Sequence, residues 1–572
     1  SHVPPSGTDI CAKKLFRQLV IAPSVSSAPP MSVVLSIAQH IRGWKKAKDF
    51  AATGPSGLTF SHFIASTCDL MLAFFDATMA NVLCATGCSP LRWQSDTDVM
   101  ISESVASLRV DKLRTVLLLD LEFNQNNKLL GRSLMRQAEK HSQMPAEQCG
   151  SRKKHRAVEA ALNKVLTQDI WRQKRQAGAL CSNDAKSCYD RVVHSFAILC
   201  MLRLGCPPGP VISMFTTLQK MQHFIGTAFG VSSASFKGVD IPFQGLGQGN
   251  GAGPTGWAVV SAPIVNMVRA AGYGATFVSA ISCAIVSFVC CAFVDDTDLV
   301  HTRHGEDISG ADLIPEMQEA LDHWEGGLRT SGGALVPSKS HWCLVDFRWK
   351  NGSWRCCSIA DCPGDISVRD HDGSGATLAR VEVTEARKSL GIVIAGDCNW
   401  KAEEARLLRA SVLWKAQVQA GHLSSSDAWH ALNHAITKTV EHPMMATHLS
   451  KVQCEKIMRP FLNAGLSASG VVRSMPRAIV WGPARHQGPG IHHLWTAQGV
   501  EHLLAILRHA ARSTLTGQLI RTSMEDMQLE VGASASFLKC SCDCHGCLST
   551  RSWMSETWRF LSDSRITVVD PF

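Results

Sequence analysis

The chain has 572 residues, 45% hydrophobic and 18% charged, with a formal net charge of +9. That apolar content excludes a disordered tail or a collagen-like repeat, and 22 cysteines without regular spacing exclude a small disulfide scaffold. At ~150 residues per domain the length corresponds to about four domains, or fewer large ones.

The N-terminus carries no basic-then-apolar leader, so the cysteines read as mostly reduced core thiols of an intracellular protein, in nucleus or cytoplasm. The chain starts at Ser1 rather than Met, which fits a piece of a longer product. Residues 1–30, rich in Ser and Pro, read as a loose lead-in. Helical periodicity dominates 31–92, punctuated by Gly54-Pro55-Ser56-Gly57. Residues 110–123 hold an apolar run with charged flanks and predict a buried strand, with a helix following through 131–141. Residues 152–175 are strongly basic: Arg152, Lys153, Lys154, Arg156, Lys164, Arg172, Lys174 and Arg175. They read either as a solvated helix face or as a phosphate-contacting surface. Residues 178–300 mix strand and helix signals with glycine turns. Alternation over 340–360 around Asn351-Gly352 predicts a hairpin. From 400 onward the pattern is helical again, and there is no internal repeat.

Residues 270–294 carry no charge. By length they match a bilayer span. They are rich in Ser, Cys, Gly and Ala, however, and the close flank is acidic rather than basic. Buried core strand and helix is the preferred reading.

Three stretches carry chemistry. In Phe293-Val294-Asp295-Asp296-Thr297-Asp298-Leu299-Val300, apolar residues press on both sides of adjacent carboxylates. The pattern predicts strand, tight turn, strand, with the acids at the tip. Two carboxylates on a core hairpin repel each other and lose solvation unless they share a cation, and Mg²⁺ held with substrate phosphates resolves this. Asp184 follows an apolar approach and precedes a helix-like stretch; a helix N-cap is the plain alternative. Tyr189, one of only two tyrosines, stands five positions later. Gly245-Leu246-Gly247-Gln248-Gly249-Asn250-Gly251-Ala252-Gly253-Pro254 lets backbone approach a ligand closely, or makes a flexible loop.

In that order these strings resemble the palm of a reverse transcriptase: the Asp with an aromatic five later, the Gln-Gly loop, and the aromatic-x-Asp-Asp hairpin. Gly332-Gly333-Ala334-Leu335-Val336-Pro337-Ser338-Lys339 is similar to the next motif, which ends in lysine, and Leu390-Gly391-Ile392 to the turn opening the primer grip. Gly54-Pro55-Ser56-Gly57, Leu113-Arg114-Thr115 and the segment from Asn127-Lys128 to Arg132 resemble the finger region of non-LTR or related retroelement polymerases. The resemblance covers roughly residues 40–500. In Val99-Met100-Ile101-Ser102-Glu103-Ser104, Glu stands where relatives tend to carry lysine, and the uncharged run before the Asp-Asp hairpin is longer than expected.

The resemblance implies an α+β, right-hand polymerase with an antiparallel palm sheet and a mainly helical thumb. Its expected divisions are the lead-in 1–30, fingers and N-terminal helices 31–177, palm with finger insertions 178–398, thumb or connection 399–535 and a Cys-rich tail 536–572. It implies that Asp184, Asp295 and Asp296 hold two Mg²⁺ ions (Mn²⁺ as a substitute), about 3.5–4 Å apart. It implies that Tyr189 excludes a 2′-hydroxyl, that Gln248 and Gly249 touch the nucleotide or template, and that Lys339 donates a proton to pyrophosphate. Arg114, Lys128 and Arg132 would grip the triphosphate, and Arg152, Lys153, Lys154 and Arg156 the nucleic acid. The partners implied are an RNA template, a DNA primer and dNTPs, without a membrane. An RNA-directed RNA polymerase and a non-catalytic nucleic-acid-binding remnant are the competing readings. The tail cluster Cys540, Cys542, Cys544, His545 and Cys547 is too tightly spaced for an ordinary zinc finger and reads as reduced thiols, with Zn²⁺ as the alternative.

Overall fold

The computed structural model describes residues 5–47, 52–102, 109, 113–303, 309–510, 512–534 and 536–568. Glu103 and Ser104 of the finger-like stretch lie outside the described residues.

Where a loose lead-in is expected, the structure has helix Ile10–Phe16, capped by Asp9 and burying Leu15 in the core, and the short helix Pro23–Ser26, which buries Val25. Helices Ile37–Trp44, Phe60–Ser66 and Leu70–Thr86 follow where helical periodicity places them. Strands β1 (Ser95–Ser102) and β2 (Leu113–Leu118) then pair antiparallel. The apolar run was expected to be a buried strand; β2 is instead a sheet edge, and Leu117 is its one buried residue. The helix begins sooner than expected, at Leu121, because Asp120 caps it by accepting from the Glu122 N–H (3.0 Å). It runs to Lys140 and buries Phe123, Asn127, Leu130, Leu134 and Ala138 at three- and four-residue spacing.

The basic run corrects a second expectation. Helix Ala157–Lys174 is no solvated face: every residue from Val158 to Trp171 is buried. Arg172 and Lys174 stand at its end, Lys164 and Asp169 are buried within it, and the helix is sealed between the next sheet and the helix Leu515–Glu530.

That sheet begins with β3 (Gly178–Asn183). Strands β4 (Gln222–Thr227) and β5 (Gly230–Phe236) complete the first sheet in the order β2-β1-β4-β5, β1 and β4 being parallel. After helix Gly253–Ala270, the uncharged run forms β6 (Ala275–Val278), β7 (Ile285–Phe288) and β8 (Cys290–Phe293) rather than one rod. Among the described residues no single helix is long and apolar enough to cross a membrane. β9 (Asp296–His301), helix Gly310–Thr330 and β10 (His341–Val345) follow.

The order β10-β3-β9-β8 is antiparallel throughout, and the short strand Ala379–Arg380 joins the β10 edge in parallel. Its two faces feed two cores, as period-two alternation requires. Leu180, Cys291, Val300, Cys343 and Val345 pack with the helix Ala157–Lys174 and the C-terminal helices. Ala179, Cys181, Leu299, Trp342 and Leu344 pack with helices Gly253–Ala270 and Gly310–Thr330. The sheet is thus held rigid from both sides, which fixes the hairpin at its end. The expected Asn351-Gly352 hairpin is present: Phe347–Lys350 pairs with Ser353–Cys356, with φ of 53° and 75° at the turn.

Candidate active site

β8 and β9 pair with Phe293 opposite Asp296, leaving Val294 and Asp295 as a two-residue turn at the sheet end. The acids stand at the tip of a core hairpin, as the flanking apolar residues predict. Val294 has φ 59°, a conformation costly for a β-branched residue. The surroundings over-determine it. Val294 N–H donates to Gln148 Oε1 (2.9 Å), Gln148 Nε2 donates back to Val294 O (3.1 Å), and Trp257 Nε1 donates to the same oxygen (2.8 Å). Gln148 is buried, and Gly150 comes so close that an added Cβ would lie 2.3 Å from Val294 N. Sequence reasoning missed this clasp. The only local signal is a Gln-x-Gly string, and the partner is 146 residues away. Replacing Gln148 by Ala frees the turn, and a misplaced reacting group can cost about 10²-fold. Steady-state kinetics of primer extension should therefore show kcat about 10–10²-fold lower with little change in nucleotide KM.

β3 brings the third acid alongside. Asn183 pairs with Thr297, so Asp184, one residue on, arrives beside Asp296. Its N–H donates to Ser340 Oγ (3.1 Å), and its carbonyl accepts from Val336 N–H (2.9 Å). Burial, and then the charges of Asp295, Asp298 and Asp184, push the Asp296 carboxyl up to about 6. Hard carboxylate oxygens carried on neighbouring strand ends are a donor set of the kind that suits Mg²⁺. Asp298 is committed elsewhere. It lies 3.0 Å from Lys164 Nζ and accepts from the Ser182 hydroxyl and, at 3.4 Å, from Ser389. Lys164, part of the basic run, is therefore a buried counter-ion beneath the hairpin.

Asp184 and Asp295 open onto a cleft of ≈ 1630 Å³ whose walls also carry Arg114, Tyr189, Gln248, Gly249 and Lys339. Asp296 stands just outside it. Lys339 Nζ is 3.7 Å from Asp184 Oδ2. The Tyr189 ring lies against Gly253, where an added Cβ would meet it at 3.5 Å. Burial raises the Tyr189 hydroxyl, reinforced by Cys188 and Asp295. The glycine loop is tethered rather than floppy. Gln248 O accepts from Leu117 N–H (2.8 Å), Asn124 Nδ2 donates to Gly249 O (3.1 Å), and Gly251 N–H donates to Asn124 Oδ1 (2.6 Å). At Gly249 (φ 104°) a side chain would strike Leu117 O. Lys186 and Asp190, which sequence reasoning did not single out, line the same cleft.

Other expected residues stand apart from it. Lys128 and Arg132 are exposed on helix Leu121–Lys140 and do not border the cleft. Partial burial and Arg132 lower the Lys128 ammonium. Arg152 pairs with Glu139 (Nη2 to Oε2, 3.0 Å) and donates to the carbonyls of Pro145 and Gln148. Arg156 pairs with Glu501 (3.2 Å), while Lys153 and Lys154 are exposed. Three donor atoms within 4.8 Å of one another occur in two places among the described residues, Asp96–Asp98–His223 and Asp169–Cys398–His448. The tail thiols and His545 form no such group, and neither do the three acids of the hairpin and β3.

The family model for reverse transcriptase (RNA-dependent DNA polymerase) matches residues 106–394, just over half of the chain, and the chain belongs to that family. Its members are nucleotidyltransferases that act on nucleic-acid template and primer with dNTPs and generally use Mg²⁺. No curated protein matches the chain.

Proposed function

We propose that the chain is an RNA-directed DNA polymerase of a retroelement of the non-LTR kind, folded as fingers (31–177), palm (178–398) and helical thumb (399–535). The observation that carries this reading is the cleft in which Asp184 and Asp295 face Tyr189, the tethered glycine loop and Lys339. Its volume exceeds the ~300–1,000 Å³ of a small-molecule pocket, which suits a polymeric substrate.

Asp184, Asp295 and Asp296 would be the oxygen donors for two Mg²⁺ ions, which would supply Lewis acidity and neutralise phosphate charge there. The protein's own groups do the positioning. The Tyr189 ring, backed by Gly253, blocks the space of a 2′-hydroxyl. Gln248 and Gly249 present a fixed edge to the nucleotide. Lys339 holds its proton beside Asp184 for the departing pyrophosphate, a role worth about 10²–10⁴-fold. Arg114 offers charge to the triphosphate in the cleft, Lys128 and Arg132 beyond it, and Lys153 and Lys154 meet the nucleic-acid backbone.

Primer extension on an RNA template with Mg²⁺, run in parallel with dNTPs and rNTPs, tests this. The wild type is expected to extend with dNTPs. Tyr189→Ala is expected to raise ribonucleotide incorporation about 10–200-fold, the range for emptying one small group from a steric pocket. Wild-type preference for rNTPs would identify an RNA polymerase instead. Salt-sensitive binding of primer-template without extension would identify a binding remnant.

A further inference from the structure

Away from the cleft, Asp169, Cys398 and His448 meet at full burial, their donor atoms all within 4.8 Å of one another. They come from three distant segments: the buried helix Ala157–Lys174, the turn between strand Ile392–Ala395 and helix Lys401–Ala420, and the stretch that follows His442–Met445. Two further features need explaining. His448 is 1% exposed, and neither ring nitrogen has a hydrogen-bond partner. An imidazole orphaned on both sides in a sealed core is costly and uncommon. Cys398 sits at φ 55°, a conformation that non-glycine residues keep only when the surroundings impose it.

We propose that Asp169, Cys398 and His448 form a buried structural zinc site that ties the C-terminal helices to the helix beneath the five-stranded sheet. Thiolate, imidazole and carboxylate together suit Zn²⁺ rather than Mg²⁺. A further oxygen stands beside the sulfur: the Cys398 thiol donates to the buried Gln168 Oε1 (3.6 Å), a separation compatible with the ~3.3–3.8 Å edge of a tetrahedron built on zinc bonds of about 2.0–2.3 Å. The Asp169 carboxylate is already oriented by Arg172 and by the Trp553 N–H (2.8 Å), the kind of support that fixes metal ligands. Trp400 packs edge-on against His448 (centroids 5.2 Å apart) and excludes water. Charge also balances. Zn²⁺ and Arg172 are offset by Asp169, the Cys398 thiolate and Asp397, whose charge acts on both Arg172 and Cys398. Arg551, which also acts on His448, is offset by its own pair with Glu556 (3.4 Å). On binding, the Cys398 S–H proton leaves for solvent and the sulfur lone pair forms the metal bond.

The test begins from a full-length parent in which the tail carries Cys540→Ser, Cys542→Ser, Cys544→Ser and Cys547→Ser, so that tail thiols contribute nothing. Elemental analysis of this parent, purified without chelator from zinc-supplemented cells, is expected to give about one zinc per chain. Exchange with Co²⁺ should add a near-ultraviolet thiolate-to-cobalt band and tetrahedral visible absorption. His448→Gln and Cys398→Ser are expected to lose the zinc, and Asp96→Asn to retain it. A parent with neither zinc nor the thiolate-to-cobalt band would overturn the proposal, whether or not the ligand variants fold. Equal zinc in the parent and in both ligand variants would overturn it too.

Discussion

Asp295→Asn is expected to lower primer extension by at least about 10²–10³-fold, the cost of removing one group that stabilises charge at a reacting centre. The side chain keeps its size but loses the full charge that a divalent ion requires. Its surroundings tolerate this. Asp295 sits half-buried in the turn bordering the cleft, hydrogen-bonded to the Cys188 thiol, which burial and Asp295 itself raise. The variant therefore unfolds at the same temperature as the parent, or slightly higher, because carboxylates crowded on one hairpin lose a repulsion. The same change acts on Asp296. Its carboxyl, pushed up to about 6 by burial and by neighbouring acids with Asp295 first among them, should move back toward the ordinary carboxylate range. Extension assays, thermal melts and a carboxyl titration read these three effects separately. Undiminished extension would remove Asp295 from the chemistry.

Lys164→Met carries the largest expected effect on stability. Lys164 is 4% exposed and pairs with Asp298 at 3.0 Å beneath the hairpin. Removing it strands a buried carboxylate, which costs about 3–5 kcal/mol. The Ser182 and Ser389 hydroxyls remain and soften the loss without neutralising the charge. Urea unfolding should therefore show a lower midpoint for Lys164→Met, with most of the difference recovered in Lys164→Met/Asp298→Leu, since an apolar pair can replace a buried ion pair at little cost. A lysine on a solvated face would give a change within about 0.5 kcal/mol. A lysine gripping phosphate would change the salt dependence of nucleic-acid binding and leave the midpoint in place.

Lys164 also marks where sequence reading stops. Its partner lies 134 positions along the chain, and only the register of β3 against β9 brings Ser182 and Asp298 over the buried helix. A run of lysines and arginines gives their charge and not their neighbours, so a core helix looked like a basic face. Gln148 was hidden for the same reason. By contrast, the Asp295-Asp296 hairpin was legible because strand-forming residues on both sides of two acids leave few alternatives. Asn351-Gly352 was legible because its backbone preference is local. The glycine loop was half legible: its glycines announce close approach, but the Asn124 and Leu117 tethers that stiffen it come from other elements. The edge position of β2 was not legible, since an apolar run gives no count of neighbouring strands.

Replacing Mg²⁺ by Fe²⁺ and adding peroxide tests the shared metal site most directly, because hydroxyl radicals formed at the bound ion cut the nearest backbone. A shared site predicts cuts in the wild type close to residue 184 and close to residues 295–296, both lost together in Asp295→Asn. Cuts confined to the Asp96–Asp98–His223 cluster, or cuts at 184 that persist without the Asp295 carboxylate, would contradict it.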